Sequence, residues 1–467
     1  MASSPSAQRA SQPVEPFPLA DQFDSRLASF LEQTSEQLVR WLGTAAFRSP
    51  LPPLSVLPDV ELQAEGVNPE GLLADLQLVM DGAFNPNHPG SLAHLDPPPL
   101  AASIAAELVC AGLNNNLLAE ELSPSLTHLE RRLCSWLAQR LGLPPGSGGV
   151  AATGGTLSNL MALVVARHSA GLGSCGQAVV LASAEAHVSL TKAMVVMGLP
   201  PQALIGLPVD ASGQMAPGTL DHELLQLQRS GRPVIAVVAT AGTTVRGAVD
   251  PLPAIAALCR RHGVWLHVDG AIGAVFGLIE QHRHRVEGLE RADSITVNPQ
   301  KLLGITKASS LLLLNDPSHL QAAFSTGLPY MEPSWGGGHG GEIGLQGTRP
   351  GEVLKLWLGL RQLGLDGIAT VLDDAIERRR RLDGLLDHDD LRILRGRFHL
   401  LAFTKRGLSP QAADRWSQET RQLLLRNGLM LSRPLYEGVH HLKAVLGNPH
   451  TSHGQLARLA ELVLATL

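Results

Sequence analysis

Asp269 and Lys301 each stand at the end of a short apolar, β-type run, residues 264–268 and 294–297, where the run stops abruptly. A carboxylate and a lysine amine on the C-terminal ends of neighbouring strands are what pyridoxal phosphate chemistry requires. The amine condenses with the cofactor aldehyde. The carboxylate keeps the pyridine nitrogen protonated, so that the ring accepts the electrons released when a bond at a substrate α-carbon breaks. A structural salt bridge capping two strands is the other reading of the same two segments.

Three further segments carry groups that such chemistry would use. Residues 152–159 (ATGGTLSN) form a glycine turn that opens a helix. Gly154 and Gly155 let the backbone approach a phosphate, the helix N-terminus offers free N–H groups, and Thr156 can cap the helix or donate its hydroxyl to a phosphate oxygen. The stretch is neither G-x-G-x-x-G nor a Walker loop, and alone it reads as an ordinary helix start. His187, directly after an apolar run at 178–183, suits stacking on an aromatic ring as well as plain helix capping. Thr243 and Thr244, in 239–244 (ATAGTT), leave room for a flat ring edge and offer donors, or serve simply as turn residues.

The elements that must position these groups follow from the hydropathy pattern. Short apolar runs at 178–183, 234–239, 264–268, 294–297 and 310–314 alternate with helix-like stretches at 156–168, 190–197, 220–229 and 252–261. That alternation predicts an α/β fold with a mostly parallel central sheet covered on both faces, whose ligands sit beyond the C-terminal strand ends. Residues 1–18 read as a disordered leader and 19–100 as a helical arm or dimerisation segment, proline-rich from 51 onward. Residues 101–350 make the large cofactor-binding domain, beginning with a helical stretch at 101–142. Residues 351–467 make a smaller C-terminal α/β domain, with helices at 353–363, 368–386, 413–426 and 455–467 and strands at 399–404 and 441–446.

Composition excludes several classes. With 467 residues and a net charge of −5, the chain has no basic footprint for nucleic acid and no polybasic membrane patch, and no apolar run of membrane-spanning length. Cys110, Cys134, Cys175 and Cys259 stand far apart without metal-type spacing, as expected of reduced thiols in a cytoplasmic protein, and no metal is expected. The run from Arg378 to Arg381 reads as a solvated helix face.

Taken in order, residues 239–251 (ATAGTTVRGAVDP), 265–271 (WLHVDGA) and 298–301 (NPQK) resemble the pyridoxal-phosphate-dependent group II amino acid decarboxylases, over residues 85–460. That family holds the glutamate, cysteine sulfinate, aromatic amino acid and 2,4-diaminobutyrate decarboxylases. The resemblance implies the aminotransferase-like fold type I and a homodimer with its active site at the interface. It implies Lys301 as the Schiff-base lysine, Asp269 as the pyridinium partner, His187 stacked on the ring and Ala271 packed behind it. Gly154, Gly155, Thr156 and Asn298 fall at the phosphate, and Thr244 near the ring. Tyr330, one of only two tyrosines, lies before a glycine-rich stretch at 336–341 that reads as a mobile lid. Family decarboxylases carry there a tyrosine that protonates the α-carbon, and His339 is the alternative.

Three positions depart from the pattern: Gln300 stands where most members have histidine, Gly270 where alanine is usual, and Lys443 where many have a carboxylate-binding arginine. Glutamine cannot change charge, the glycine loosens its site slightly, and lysine keeps the cation but loses bidentate geometry. His94 resembles the diaminobutyrate decarboxylase pattern, whereas residues 114–124, with Asn116, look closer to the glutamate decarboxylase version. An acidic substrate would want Arg246 or Arg349, and a diamino substrate Glu120 or Glu121. With aromatic residues at only 4%, a short polar amino acid ranks above an aromatic one. The expected reaction is loss of the α-carboxylate as CO₂. The rivals are an aminotransferase or other α-carbon lyase on the same fold, and a non-catalytic homologue, for which Gln300 leaves room.

Overall fold

The computed structural model describes residues 17–53, 57–62, 64–327 and 339–467. Two helices come first, α1 (Ser25–Gly43) and α2 (Pro69–Asp81), and neither buries any of its residues. Next come α3 (Ala101–Leu113) and α4 (Pro124–Arg140). The helical stretch expected at 101–142 is therefore two helices, because Asn114 ends the first in the left-handed region at φ 45°.

The strand–helix alternation then unfolds as β1 (Gly148–Ala152), α5 (Gly155–Ser169), β2 (Val179–Ser183), α6 (Ser189–Val196), β3 (Leu204–Leu207), α7 (Pro217–Arg229), β4 (Val234–Thr240), α8 (Leu252–His262), β5 (Trp265–Asp269), a single turn α9 (Glu280–Arg283), β6 (Ser294–Val297), β7 (Ser310–Leu314) and α10 (Ser318–Phe324). The seven strands lie in the order β1-β7-β6-β5-β4-β2-β3. Neighbours from β6 through β3 are parallel, and β7 runs antiparallel to both β1 and β6. Alternate residues of each strand serve opposite faces. Val237 and Ala239 join the core shared with α4 and α8, whereas Ala236 and Val238 join the one beneath α5 and α6. Both faces being covered explains why these strands read as continuous apolar runs. Helix α8 stops at Gly263, whose φ of 66° is the left-handed cap a glycine supplies.

Helix α11 (Val353–Leu385) links the two cores. Gly364, at φ 62° and ψ −178°, kinks it where two helices were expected. Its first part, from Val353 to Ile376, packs on the large sheet's core, whereas Leu382 belongs to a second core. That second core is built on β8 (Leu391–Arg395), β9 (Leu400–Lys405), α12 (Pro410–Arg426), a short hairpin of β10 (Leu435–Tyr436) and β11 (Val439–His440), β12 (Leu442–Val445) and α13 (His453–Leu464). Strands β12, β9 and β8 form an antiparallel sheet. Leu92, far upstream, is fully buried in this core. Its backbone is held there by Leu92 N–H to Met430 O at 3.0 Å and Val445 N–H to Leu92 O at 2.7 Å.

The arginine run corrects one expectation. Arg380 and Arg381 are exposed, but Arg378 is buried and donates to the Leu446 carbonyl at 2.9 Å. Arg379 reaches the Phe398 carbonyl at 3.3 Å and pairs with Asp383 at 3.5 Å. Half of the run is therefore structural, because its long side chains satisfy carbonyls that the helix covers.

Candidate active site

Strand β5 ends at Asp269, which pairs in register with Thr240 on β4 and Thr296 on β6. Beyond these C-terminal strand ends lies a cavity of about 210 Å³. It brings together Gly155, Thr156, His187, Thr244, Asp269, Ala271, Asn298 and Lys301. Gly154 stands just behind at φ 128°, the N-cap of α5, which has no side-chain cap. The open N–H groups of that first turn favour an anion. A Cβ at Gly155 would come within 2.9 Å of the Asn298 amide. In the orientation that satisfies its neighbours, Asn298 accepts from the Gly155 N–H at 3.2 Å and donates to the Val297 carbonyl at 3.1 Å. The glycine turn is thus tied to the end of β6.

Burial lowers the pKa of Lys301 from its ordinary value, and the Asp269 charge opposes that shift. Burial also lowers His187, against Asp269 and with Lys301. Its Nδ1 accepts from the Ser189 N–H at 3.2 Å. Asp269 is 6% exposed and accepts from the Asn159 amide at 2.8 Å and the Ala271 N–H at 3.2 Å. The Thr240 hydroxyl, buried at the cavity wall, has no hydrogen-bond partner among the described residues. An uncapped helix start, an orphaned hydroxyl, a buried carboxylate and a buried amine around one small cavity fit a flat, phosphorylated, aldehyde-bearing ring.

A second recess adjoins Lys301 and is lined by His94, Asp96, Ser91 and Asn448. Burial lowers the pKa of His94, whose ring meets Phe84 edge-on with centroids 6.4 Å apart. Lys443 lies close by on β12. Its ammonium donates to the Thr244 carbonyl at 3.2 Å, and burial, then the charge of Lys301, lowers its pKa to about 8.

Residues 53–403 match the pyridoxal-dependent decarboxylase conserved domain. The chain belongs to the pyridoxal-dependent decarboxylase family. It is 32% identical over 444 residues to L-2,4-diaminobutyrate decarboxylase of Rhizobium meliloti (strain 1021), covering 93% of this chain and 88% of that one. It is 33% identical over 348 residues to cysteine sulfinic acid decarboxylase of Rattus norvegicus, covering 70% and 69%. Among solved structures, mouse CSAD in apo form superposes with a TM-score of 0.85 at 26% identity, covering 94% of this chain and 98% of that one. Oryza sativa TDC with PLP and tryptamine shares the fold at a TM-score of 0.88 and 23% identity, covering 96% and 99%. The protein is a carboxy-lyase with pyridoxal phosphate as its cofactor.

Several sequence expectations change on this decarboxylase. Asn116 lines neither recess. Its side-chain oxygen accepts from Leu118 N–H at 3.0 Å and Arg349 N–H at 3.1 Å, so it braces a loop. Arg349 forms a buried two-pronged pair with Glu130 at 3.0 and 2.9 Å. Arg246 is buried against the Ala211 carbonyl at 3.2 Å and the Tyr436 hydroxyl at 3.4 Å. Neither arginine lines either recess, because each is consumed as structural glue. Glu120 is likewise taken, by His128 at 2.8 Å and Arg131 at 3.2 Å. Gly270 is no loosening: a Cβ there would meet Ala274 Cβ at 2.8 Å and the Thr296 carbonyl at 2.9 Å. Gln300 lines the cavity and accepts from the Ser309 N–H.

Tyr330 lies outside the described residues. Before it, Gly327 N–H (2.9 Å), Thr326 N–H (2.7 Å) and the Ser325 and Thr326 hydroxyls all donate to Glu342. Burial raises the pKa of that carboxyl, but these bonds prevail and bring it down to about 2. His339 lines neither recess.

Sequence reasoning missed Asn159 and Thr240, both in the cavity wall. Asn159 stands one turn after Gly155 and so on the same face of α5, next to a second buried polar residue, Ser158.

Proposed function

We propose that this decarboxylase releases the α-carboxylate of a short polar L-amino acid as CO₂ and leaves the corresponding amine. The observation that carries the reading is the single cavity holding Lys301 and Asp269 beside the uncapped start of α5. Relatives that act on 2,4-diaminobutyrate and cysteine sulfinic acid support a polar substrate, as does the polar wall of the recess next to Lys301.

In this reading Lys301 attaches the cofactor, its burial favouring the neutral, nucleophilic amine. Asp269 holds a proton at the ring nitrogen, His187 covers the ring face and Ala271 packs behind it. Gly154, Gly155, Thr156 and Asn298 take the phosphate, and Thr244 offers its hydroxyl at the ring edge. Bound there, pyridoxal phosphate supplies the electron sink for the pair left when the Cα–carboxylate bond breaks. Lys443 and His94 orient the substrate, and Tyr330 returns a proton to the α-carbon.

We also propose a cytoplasmic homodimer. Helices α1 and α2 bury nothing of their own, and Phe17, Phe23 and Phe47 are exposed, an apolar surface that a second copy would cover. All four cysteines are free, which suits a reducing compartment. No helix among the described residues is long and apolar enough to cross a membrane.

The test is incubation of the holoenzyme with glutamate, aspartate, cysteine sulfinate and 2,4-diaminobutyrate, following gas and amine together. Stoichiometric CO₂ and amine from one of them is the expected result. A keto acid without gas would overturn it in favour of transamination.

A further inference from the structure

Behind Asp269 lies a chain of buried polar side chains that leaves little freedom in the placing of hydrogens. Asn159 Nδ2 is 2.8 Å from Asp269 Oδ2 and 2.9 Å from Ser189 Oγ. Its Oδ1 is 2.7 Å from Thr296 Oγ1 and 3.1 Å from His267 Nε2. His267 Nδ1 is 2.9 Å from Ser294 Oγ, which also lies 2.9 Å from Trp265 Nε1. Asn159, His267, Thr296 and Ser294 are all buried.

Each donor follows from its neighbour. A carboxylate only accepts, so the Asn159 NH₂ faces Asp269, and its carbonyl faces His267. The carbonyl only accepts, so His267 carries its proton on Nε2, and Nδ1 accepts. Indole N–H only donates, so Ser294 receives from Trp265 and passes its own hydroxyl proton to His267 Nδ1. Burial lowers the pKa of His267 to about 4, with Asp269 opposing, which agrees with a neutral ring.

We infer that Asn159 is a positioning residue: locked by Thr296 and by His267 in its Nε2–H form, it holds the Asp269 carboxyl group in one orientation toward the cofactor ring. The inference rests on the reading of Asp269 as the ring-nitrogen partner. Without the amide, one oxygen of a buried carboxylate loses a donor and the group is free to turn. The titratable groups that face Asp269 are Lys301, His187 and His267, and beside them the amide is a donor that cannot change charge.

The experiment titrates the full-length apo-protein with pyridoxine 5′-phosphate, which lacks the aldehyde and so reports the grip on ring and phosphate without the bond to Lys301. The absorption of the bound ring reports whether its nitrogen is protonated. Asn159→Asp keeps the shape but sets two carboxyl groups against each other, so that they share a proton. It is expected to weaken binding about tenfold or more, the size of one hydrogen bond to a charged group. It should also shift the bound ring toward its unprotonated spectrum as pH rises. His267→Gln, whose amide can still donate to Asn159, should stay close to the parent protein, whereas His267→Leu should follow Asn159→Asp in direction.

Asn159→Asp binding as the parent does, with the parent's spectrum, would overturn the inference. So would equal weakening by Asn159→Asp and Asn159→Leu with no change in ring protonation, which is what loss of packing alone produces. Asp269→Asn separates the two levels. If it weakens binding while Asn159→Asp does not, the inference fails alone. If Asp269→Asn binds unchanged, the reading of Asp269 fails and takes the inference with it.

Discussion

The ammonium of Lys443 rests on the backbone carbonyl of Thr244 at 3.2 Å, so a side chain of the small sheet meets the rim of the cofactor cavity. Burial and the neighbouring Lys301 bring its pKa to about 8, so the cation is present below that pH and lost above it. The KM for the amino acid should therefore climb as pH passes about 8. Lys443→Arg should move that rise to higher pH, because a guanidinium stays charged, and Lys443→Met should raise KM throughout. A KM indifferent to Lys443→Met would remove the residue from substrate binding.

Arg349 and Glu130 are each about 5% exposed and joined by two hydrogen bonds. Arg349→Met strands a buried carboxylate and should cost about 3–5 kcal/mol of stability in chemical denaturation. The double variant with Glu130→Leu should recover most of that loss. Substrate preference should be unchanged in the double variant, and a changed preference would return Arg349 to the substrate pocket.

His399 is fully buried, with neither ring nitrogen partnered among the described residues. Burial, with Arg378 and Lys443 adding to it, lowers its pKa to about 3. The folded protein keeps this ring neutral while the unfolded chain takes up a proton below its ordinary pKa of 6.5. Stability is therefore lost as pH falls from about 6.5 toward 3, at roughly 1.4 kcal/mol per pH unit from this group. His399→Leu should flatten that part of the acid stability curve, measured by denaturant midpoints at matched pH. Equal acid slopes in both proteins would exclude His399 as the source.

Gly270→Ala should destabilise by about 1–3 kcal/mol, because its added carbon must push against the Thr296 carbonyl and Ala274. Thermal unfolding checks this, and an unchanged or raised midpoint would show that the strand end yields at no cost.

What was legible in advance was whatever chemical type and strand position announced together. Asp269 and Lys301 stood out because an apolar run broke at a charge, and the buried strands β4 and β6 stood out because both faces of the sheet are covered. Strand β1 was not legible: with Gly148 and Gly149 it has weak strand preference, and close approach explains the glycine, since a Cβ at Gly149 would lie 2.1 Å from the Leu312 carbonyl. Asn159 was hidden because its partners, His267 and Asp269, come from a strand more than 100 positions away. The partners of the arginines were hidden for the same reason. A guanidinium free to meet an acidic substrate and one consumed by Glu130 look alike until the fold brings 130 and 349 together.

Leu92 belongs to the interior of the smaller, C-terminal core. The C-terminal sheet and its helices close around a leucine that precedes the whole seven-stranded sheet in the chain, and both backbone groups of that leucine are engaged there. The smaller half cannot finish its interior from local sequence. The contact between Leu92 and Val445 closes a loop of more than half the polypeptide, at a corresponding cost in chain entropy. Residues 380–467 made alone would carry a leucine-sized hole and an unpaired stretch of backbone at Val445 and Met430, and should remain loosely packed until a peptide bearing Leu92 is added back.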